Sequence, residues 1–506
     1  MVKVPRHSRS TAYTCAALSG VLLALSFPSL GHPGAAWVAL TPLLVVLHDI
    51  RSRGLAFGLG LTTGAIHFAG TLPWLTQVMI EFGGFPLPVG VAINGLLVAY
   101  LALFPAAFAV MLVVLCARLG SWGLLGAAPI WLTTELGRLW LLGGFPWELL
   151  GYSQTSVLPV AQLASVFGVH GVTLLVVLIN SAVALALVGP RAHRGAVLAG
   201  ATGVLGLVVL FGMWRLTDNR LVREGTPLRV GLVQGNILQD DKWDPAMRST
   251  ILNRYLDLSR QSVAAGARLI VWPEAATPFR FEDDPDGETI RQLARTTGVH
   301  LLFGSVQRRD APVPQIFNAA FVVQPDGETA AVYRKIHLVP FGEYVPFRSL
   351  LFFASPLVEA VAPFSPGTGP VTLPVGGHLI STAICYEIIY PALVRSFVRQ
   401  GSELLTTITN DAWYGRTAAP HQHFQQATMR AIEQGRYLVR AANTGISGVV
   451  DPYGRVLARS ALFEAMAMTE DVRLLKGLTL YGRMGDLLAY LCLILTVTGV
   501  GAAWRT

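Results

Sequence analysis

The chain has 506 residues, 53% hydrophobic and 13% charged, with a net charge of +8. Soluble domains ordinarily carry about 25% charged residues, so an ordinary soluble globular protein is excluded and a membrane protein is the first inference. The charge is uneven: residues 1 to 214 hold nine Lys/Arg and four Asp/Glu, against twenty-nine and twenty-six in the remainder, so the two parts face different solvents.

In chain order, apolar runs occupy roughly 12 to 27, 35 to 49, 55 to 79, 87 to 117, 121 to 141, 160 to 188 and 195 to 213, and an eighth follows at 485 to 504. A helix needs about 20 residues to cross the hydrocarbon core. Most runs qualify, the first two are short, and about eight spans are expected. Lys3, Arg6 and Arg9 ahead of the first run could also mark a cleavable leader. The next run follows after only a short loop, however, and the alternation of cations counts the first run as a span. Lys3, Arg6 and Arg9 precede it, Arg51 and Arg53 follow the second, Arg118 the fourth, Arg191 and Arg194 the sixth and Arg505 the eighth. Loops 28 to 34 and 80 to 86 have no Lys or Arg. Under the positive-inside rule both termini are cytoplasmic and the segment between the seventh and eighth runs is extracytoplasmic. The expected organisation is a helical bundle at 1–214, an extracytoplasmic domain at 215–483, and a last span with a cytoplasmic tail at 484–506.

The middle segment, roughly 270 residues, can bury a full core as one domain. Short β-branched runs alternate there with helical ones, the pattern of an α/β or layered sandwich. Strands are predicted at 228 to 234, 268 to 272, 300 to 306, 318 to 323, 329 to 334, 378 to 384 and 404 to 409, and helices at 245 to 264, 287 to 297, 391 to 400 and 421 to 437. Pro325-Asp326-Gly327 is a turn signal between two strands, so a mixed sheet is expected.

Three polar clusters directly follow strands: Trp272-Pro273-Glu274, Arg334-Lys335-Ile336-His337 and Cys385-Tyr386-Glu387. Ligand and catalytic groups favour this end of the strands in α/β layers. Cys15, Cys116 and Cys492 fall in apolar runs, which leaves Cys385 without a disulfide partner. A lone thiol there is either a buried inert residue or a working nucleophile. A nucleophilic thiol must be deprotonated, and its tetrahedral intermediate needs positive charge or N–H donors at the oxygen. Glu274 and Lys335 are candidates for these tasks, because a charge directly after an apolar strand is poorly explained by solvation. Taken singly, either is more often a salt-bridged surface residue. The three lie far apart in sequence, so only a fold can join them. No metal is implied, since His421 and His423 at i, i+2 on a helix do not share a face. No glycine motif for nucleotide phosphates precedes a helix, and the cytoplasmic loops account for much of the positive charge without nucleic acid. The rest could hold the soluble domain against anionic headgroups.

Trp272-Pro273-Glu274, the run RKIHLVPFGEYVP at 334 to 346, and Cys385-Tyr386-Glu387 resemble, in order, the Glu-Lys-Cys signature of the nitrilase superfamily. With the apolar runs included, nearly the whole chain resembles the bacterial apolipoprotein N-acyltransferases, the membrane-embedded branch of that superfamily. Further runs carry the likeness: Gly144-Phe145-Pro146-Trp147 leading to Gly151-Tyr152-Ser153-Gln154, Gln234-Gly235-Asn236 leading to Lys242-Trp243, TNDAWYG at 409 to 415, and RAANTG at 440 to 445.

The resemblance implies a nitrilase-like αββα four-layer sandwich joined to an all-α bundle of eight transmembrane helices. It places them in the bacterial inner (cytoplasmic) membrane, with the sandwich on the periplasmic side. The implied reaction takes an acyl chain from a phospholipid, usually phosphatidylethanolamine, and holds it as a thioester on Cys385. The chain then passes to the N-terminal amine of diacylglyceryl-cysteine on an apolipoprotein, with no cofactor and a monomeric enzyme. Glu274 would be general base and then acid, while Lys335 would lower the thiol pKa and stabilise the oxyanion with the backbone N–H of Tyr386. Glu343 and Glu387 would orient Lys335 or the nucleophile loop, or serve as structural support. Trp243, Trp413, Tyr414 and Trp147 either line the acyl or headgroup path or are core aromatics and interface anchors. The stretch 347 to 370, with its Phe and Pro residues, is read as a membrane-facing lid.

Two other readings compete. A membrane-tethered nitrilase-type amidase would resolve the thioester with water and hydrolyse a C–N bond, but a single span would tether it. A transporter with a dead receptor domain would place ionisable residues along a pathway. The bundle offers few: Glu135 and Arg138, which at i, i+3 can pair with each other, and His67 and His170.

Overall fold

The computed structural model describes residues 8–28, 31–310, 313–340, 342–344 and 364–505. Lys3, Arg6 and residues 347 to 363 of the expected lid lie outside the described residues. The chain divides into two compact units. One comprises Met1–Asp218, Thr417–Met429 and Met484–Thr506, the other Asn219–Arg416 and Arg430–Arg483. The contribution of Thr417–Met429 to the first unit has no counterpart in the sequence.

The first unit is helical. Arg9–Ala24 starts on Ser8, whose hydroxyl accepts from the Thr11 N–H, and Arg53–Thr71 starts on Ser52, which accepts from Leu55. Each cap satisfies an N–H that a helix start leaves without an intrahelical acceptor. Leu87–Leu119 runs 33 residues through Pro105. Arg53–Thr71 packs on it at close range: a Cβ added to Gly64 would lie 2.7 Å from Ala102 Cα, and one at Gly60 2.7 Å from Ala106 Cα. Small residues that let backbones approach are the packing that works in lipid, where burying apolar surface gives no drive.

By length and composition, Leu87–Gly143, Ala164–Val188, Arg191–Val222 and Leu487–Trp504 are candidate spans, and Arg53–Thr71 with Pro73–Glu81, bent by 51°, is another. The run at 121 to 141 resolves into a 3-10 turn, Gly120–Gly126, and the helix Ala127–Trp140. The run at 35 to 49 resolves into Pro33–Trp37 and Thr41–Asp49. Glu135 does not form the expected pair with Arg138. Its carboxylate is already occupied by the Trp131 indole N–H at 3.1 Å, the Leu150 N–H at 2.7 Å and the Thr173 hydroxyl at 2.9 Å. Arg138 instead donates to the Glu148 carbonyl at 3.3 Å. Gln422 shows why a piece of the later chain belongs with the helices: its Oε1 accepts from Trp74 and Trp147, and its Nε2 donates to the carbonyls of Pro28 and Thr71.

The second unit is an α/β sandwich. Its strands are β1 (Thr226–Gln234), β2 (Leu269–Val271), β3 (His300–Arg309), β4 (Gln315–Val323), β5 (Thr329–Arg334), β6 (Leu373–Val375), β7 (His378–Ile384), β8 (Leu404–Thr409), β9 (Leu438–Ala442), β10 (Gly448–Val450), β11 (Val456–Arg459) and β12 (Met466–Leu474). One six-stranded sheet has the order β12-β1-β2-β3-β4-β5, the other β11-β10-β9-β8-β7-β6. Both are mixed, as expected. β1, β2 and β3 run parallel, as do β7, β8 and β9, and the outer strands pair antiparallel. Gly327 turns the β4–β5 hairpin at φ 86°, a conformation that glycine adopts without steric cost. Helices Arg248–Ala264 and Gly287–Thr297 bury Tyr255, Leu256, Ile290 and Leu293 against Ile270, Phe303 and Phe321 of the first sheet and against Trp272 just after β2.

Candidate active site

Each predicted cluster stands where a strand stops. After β2, Trp272 is fixed by its indole N–H on Ser259 Oγ at 2.8 Å and by stacking on Tyr255. Glu274 follows, and Gly304 on β3 packs so closely behind it that an added Cβ would lie 2.7 Å from Glu274 Cα. After β5, the Lys335 backbone N–H donates to the Asn318 carbonyl at 2.9 Å. After β7, Cys385 opens the 3-10 turn Cys385–Ile389 with φ 53°, a left-handed conformation that a non-glycine residue adopts only under constraint from its surroundings.

These ends converge. Lys335 Nζ lies 3.3 Å from Glu274 Oε1 and 3.0 Å from the Glu343 carboxylate. Asn318 Nδ2 bridges the same two groups, at 2.7 Å to Glu274 Oε1 and 2.9 Å to Glu343 Oε1. Glu274 Oε2 accepts from the Asn410 backbone N–H at 2.8 Å. Glu343 is further held by the Val339 N–H at 2.8 Å. Glu274, Lys335, Glu343 and Cys385 are all buried.

The electrostatics assign opposite resting states to the base and the thiol. Burial would raise the Glu274 carboxyl, but Lys335, Asn318, Lys242 and the Asn410 N–H outweigh it and hold it below the usual carboxylate range. Burial would discharge Lys335; Glu343 and Glu274 instead hold it well above the usual lysine value. Burial and then the Glu274 charge push the Cys385 thiol up, by more than Lys335 lowers it. Lys335 does pull the thiol pKa down, as expected. Its pull is present but outweighed, because its charge is shared with two carboxylates and the sulfur is desolvated. The resting pair is a carboxylate and a neutral thiol, an arrangement in which Glu274 has the capacity to accept a proton.

Glu387 ties two of the strand ends together. Its Oε1 accepts from the Tyr333 hydroxyl at 2.8 Å and from the Ile336 and His337 N–H groups at 2.6 and 3.1 Å, while Oε2 accepts from the Ile384 N–H at 2.8 Å. Burial raises its carboxyl to about 7 against these donors. Tyr386 follows Cys385 at the start of the turn and is buried. Tyr414, in the turn Asp411–Tyr414, is within electrostatic reach of Cys385 and Glu274; burial pushes its hydroxyl up, and Cys385 adds to this. Trp413 precedes it, half-buried. Trp243 is half exposed and lines a surface groove with Arg248, Phe279, Arg280, Asp283 and Asp284. Trp147 lies in the helical unit, fully buried beside Trp74, with its indole N–H on Gln422.

Three groups at the site carried no chemical signal in the sequence. Asn318 reads as the first residue of an apolar strand. Asn410 acts through its main chain. Lys242 stood only as a neighbour of Trp243, yet it is buried, and its Nζ donates to the Glu274 carbonyl at 3.3 Å.

Residues 229–474 match the family described as carbon-nitrogen hydrolase, and 19–182 the apolipoprotein N-acyltransferase N-terminal domain. A protein named apolipoprotein N-acyltransferase from Geobacter metallireducens is 41% identical over 510 residues, covering 99% of this chain and 96% of its own length. One of the same name from Methylococcus capsulatus is 36% identical over 491 residues, covering 94% and 93%. Among solved structures, an amidase from Nesterenkonia sp. is similar over 54% of this chain and 98% of its own, at 24% identity and a TM-score of 0.39.

Proposed function

Because the chain belongs to the apolipoprotein N-acyltransferase family, enzymes that acylate lipoproteins in a membrane, we propose that it works through an acyl-enzyme on Cys385. Cys385 attacks an ester carbonyl of the phospholipid donor while Glu274 Oε takes the thiol proton. Collapse of the tetrahedral intermediate breaks the ester C–O bond, and Glu274 returns that proton to the departing lysophospholipid oxygen. The lipoprotein α-amine then attacks the thioester, Glu274 accepts its proton, and the thiolate leaves and is reprotonated. An amide and free Cys385 remain. Lys335 and the Tyr386 N–H face the developing oxyanion. Two half-reactions sharing one nucleophile give ping-pong kinetics.

The observation that supports this reading is the ionised Glu274, held between Asn318, Lys335 and the Asn410 N–H beside a thiol that is protonated at rest. Glu343 and Glu387 are positioning residues, the first for Lys335 and the second for the nucleophile turn. Trp243, Trp413 and Tyr414 line the donor's approach. Phosphatidylethanolamine is the donor, diacylated apolipoprotein the acceptor, and the enzyme acts as a monomer. The helical unit is taken as eight spans in the inner membrane, with domain limits at 1–214, 215–483 and 484–506 and the sandwich on the periplasmic side.

The test is intact-mass analysis of the purified enzyme. Phospholipid alone should leave one acyl adduct on Cys385, which a diacylated lipopeptide then discharges as triacylated peptide. Free fatty acid with no acylated peptide would instead mark a hydrolase. For topology, a cysteine placed at exposed Asp257 should react with an impermeant maleimide from the periplasmic side only.

A further inference from the structure

We infer that Lys242 binds the phosphodiester of the acyl donor during the first half-reaction, an inference that rests on the acyl-enzyme reading above. Lys335 and Lys242 are both buried beside Glu274 and Cys385, but they are held differently. Lys335 has two carboxylates within ion-pair distance. Lys242 forms no ion pair among the described residues; its hydrogen bond is to a neutral acceptor, the Glu274 carbonyl at 3.3 Å. The nearby Glu274 carboxylate is already occupied by Asn318, Lys335 and the Asn410 N–H.

A buried ammonium without a paired anion is costly. Burial brings Lys242 down to about 8, so at neutral pH most of it remains charged. Its segment is nonetheless fixed in place. Gln239 accepts from Asn410 Nδ2 at 2.9 Å, and Ile237 exchanges hydrogen bonds with the Asn443 side chain at 2.9 and 2.7 Å. A rigid segment that holds an unpaired ammonium beside the nucleophile suits a substrate that brings one negative charge near the reacting ester. A phospholipid has that arrangement, since its phosphodiester and its acyl esters share one glycerol. Charge-assisted N–H···O⁻ bonds are the stronger kind, and the binding is selective because a donor lacking the phosphate cannot make them.

The experiment uses full-length enzyme in detergent and compares acylation of Cys385, by intact mass, from phosphatidylethanolamine and from a p-nitrophenyl ester of the same fatty acid. In Lys242→Met the ratio of the two rates should fall roughly tenfold to a hundredfold, the loss expected for a hydrogen bond to a charged group, and Lys242→Arg should recover part of it. Lysophospholipid should inhibit the ester reaction of the wild type more than that of Lys242→Met, and inorganic phosphate should not. Inhibition by inorganic phosphate that depends on Lys242 would make this a site for free phosphate and overturn the donor assignment. An unchanged ratio in both variants would also overturn it, leaving Lys242 as a residue that only tunes Glu274. If the wild type takes no acyl group on Cys385 from either donor, the acyl-enzyme reading fails first.

Discussion

Replacing Glu274 by Gln tests the division of labour between base and thiol. The side chain keeps its shape but has only one oxygen for three donors: Asn318 Nδ2 at 2.7 Å, Lys335 Nζ at 3.3 Å and the Asn410 N–H at 2.8 Å. Whichever way the amide turns, its NH₂ faces a donor, a mismatch of about 1–3 kcal/mol, which the fold can bear. The kinetic loss is larger. A positioned general base contributes roughly 10²- to 10⁴-fold, and acylation at pH 7 should fall by that factor. The variant also removes the negative charge that helps raise the Cys385 thiol, so thiolate forms more readily than before. With no base to take the proton during attack, the residual rate should follow the thiolate fraction and climb about tenfold per pH unit. The wild type behaves differently. Its carboxyl is held below the usual range, so its rate should be flat near neutrality, fall as acid protonates Glu274 and, with a phospholipid donor, fall again as Lys242 discharges above about 8. Quench-flow mass analysis of the Cys385 adduct between pH 6 and 9 measures both profiles. A residual rate within tenfold of wild type at pH 7, or a flat residual profile, would refute the reasoning.

Lys335→Ala should destabilise as well as inactivate, because it leaves Glu274 and Glu343 buried without their shared cation. Losing one partner of such a network costs about 3–5 kcal/mol, and adding Glu343→Gln should recover much of the thermal stability with no return of acylation. If the double variant is no more stable than the single, the shared-cation argument fails. Gly304→Ala forces an atom against the Glu274 backbone; acylation should drop more than tenfold while Tm moves by a few degrees, and a shift in Tm alone would count against it. Glu387 binds its proton near pH 7 in the folded chain against a reference of 4.5. The native state therefore holds the extra proton between those values, and stability falls as pH rises through that window, by about 3 kcal/mol from this group. Glu387→Gln should flatten that slope in pH-dependent thermal unfolding, and an unchanged slope would contradict it.

Much of the site was legible because its three chemical groups sit at strand ends, where a charge or thiol interrupts an apolar run. The seven predicted strands and four predicted helices of the sandwich all have counterparts in the structure. What the sequence hid was pairing. β9 was missed because Arg440 breaks the apolar pattern of LVRAA. In the fold that charge is fully buried on Asp411 at 2.8 Å, a partner 29 residues away. β12 is a partly exposed outer strand carrying Thr469, Glu470, Asp471 and Arg473, and so lacks the hydrophobic signal of a central strand. Thr417–Met429 reads as part of a helix in the sandwich; the four hydrogen bonds of Gln422, the Gln426–Glu148 hydrogen bond and the His423–Trp147 ring contact explain its place among the membrane helices. The net state of the thiol was hidden for a related reason: spacing can suggest that a lysine is near, as Lys335 is, but not that burial and the Glu274 charge outweigh it.

Glu387 gathers amide hydrogens from both sheets, from the residues after β5 and from the end of β7. A displacement of one sheet would strain bonds to the other, so the sulfur and the ammonium are tied to one carboxylate. Coulomb stabilisation varies inversely with separation, so this common anchor limits how far that stabilisation can vary.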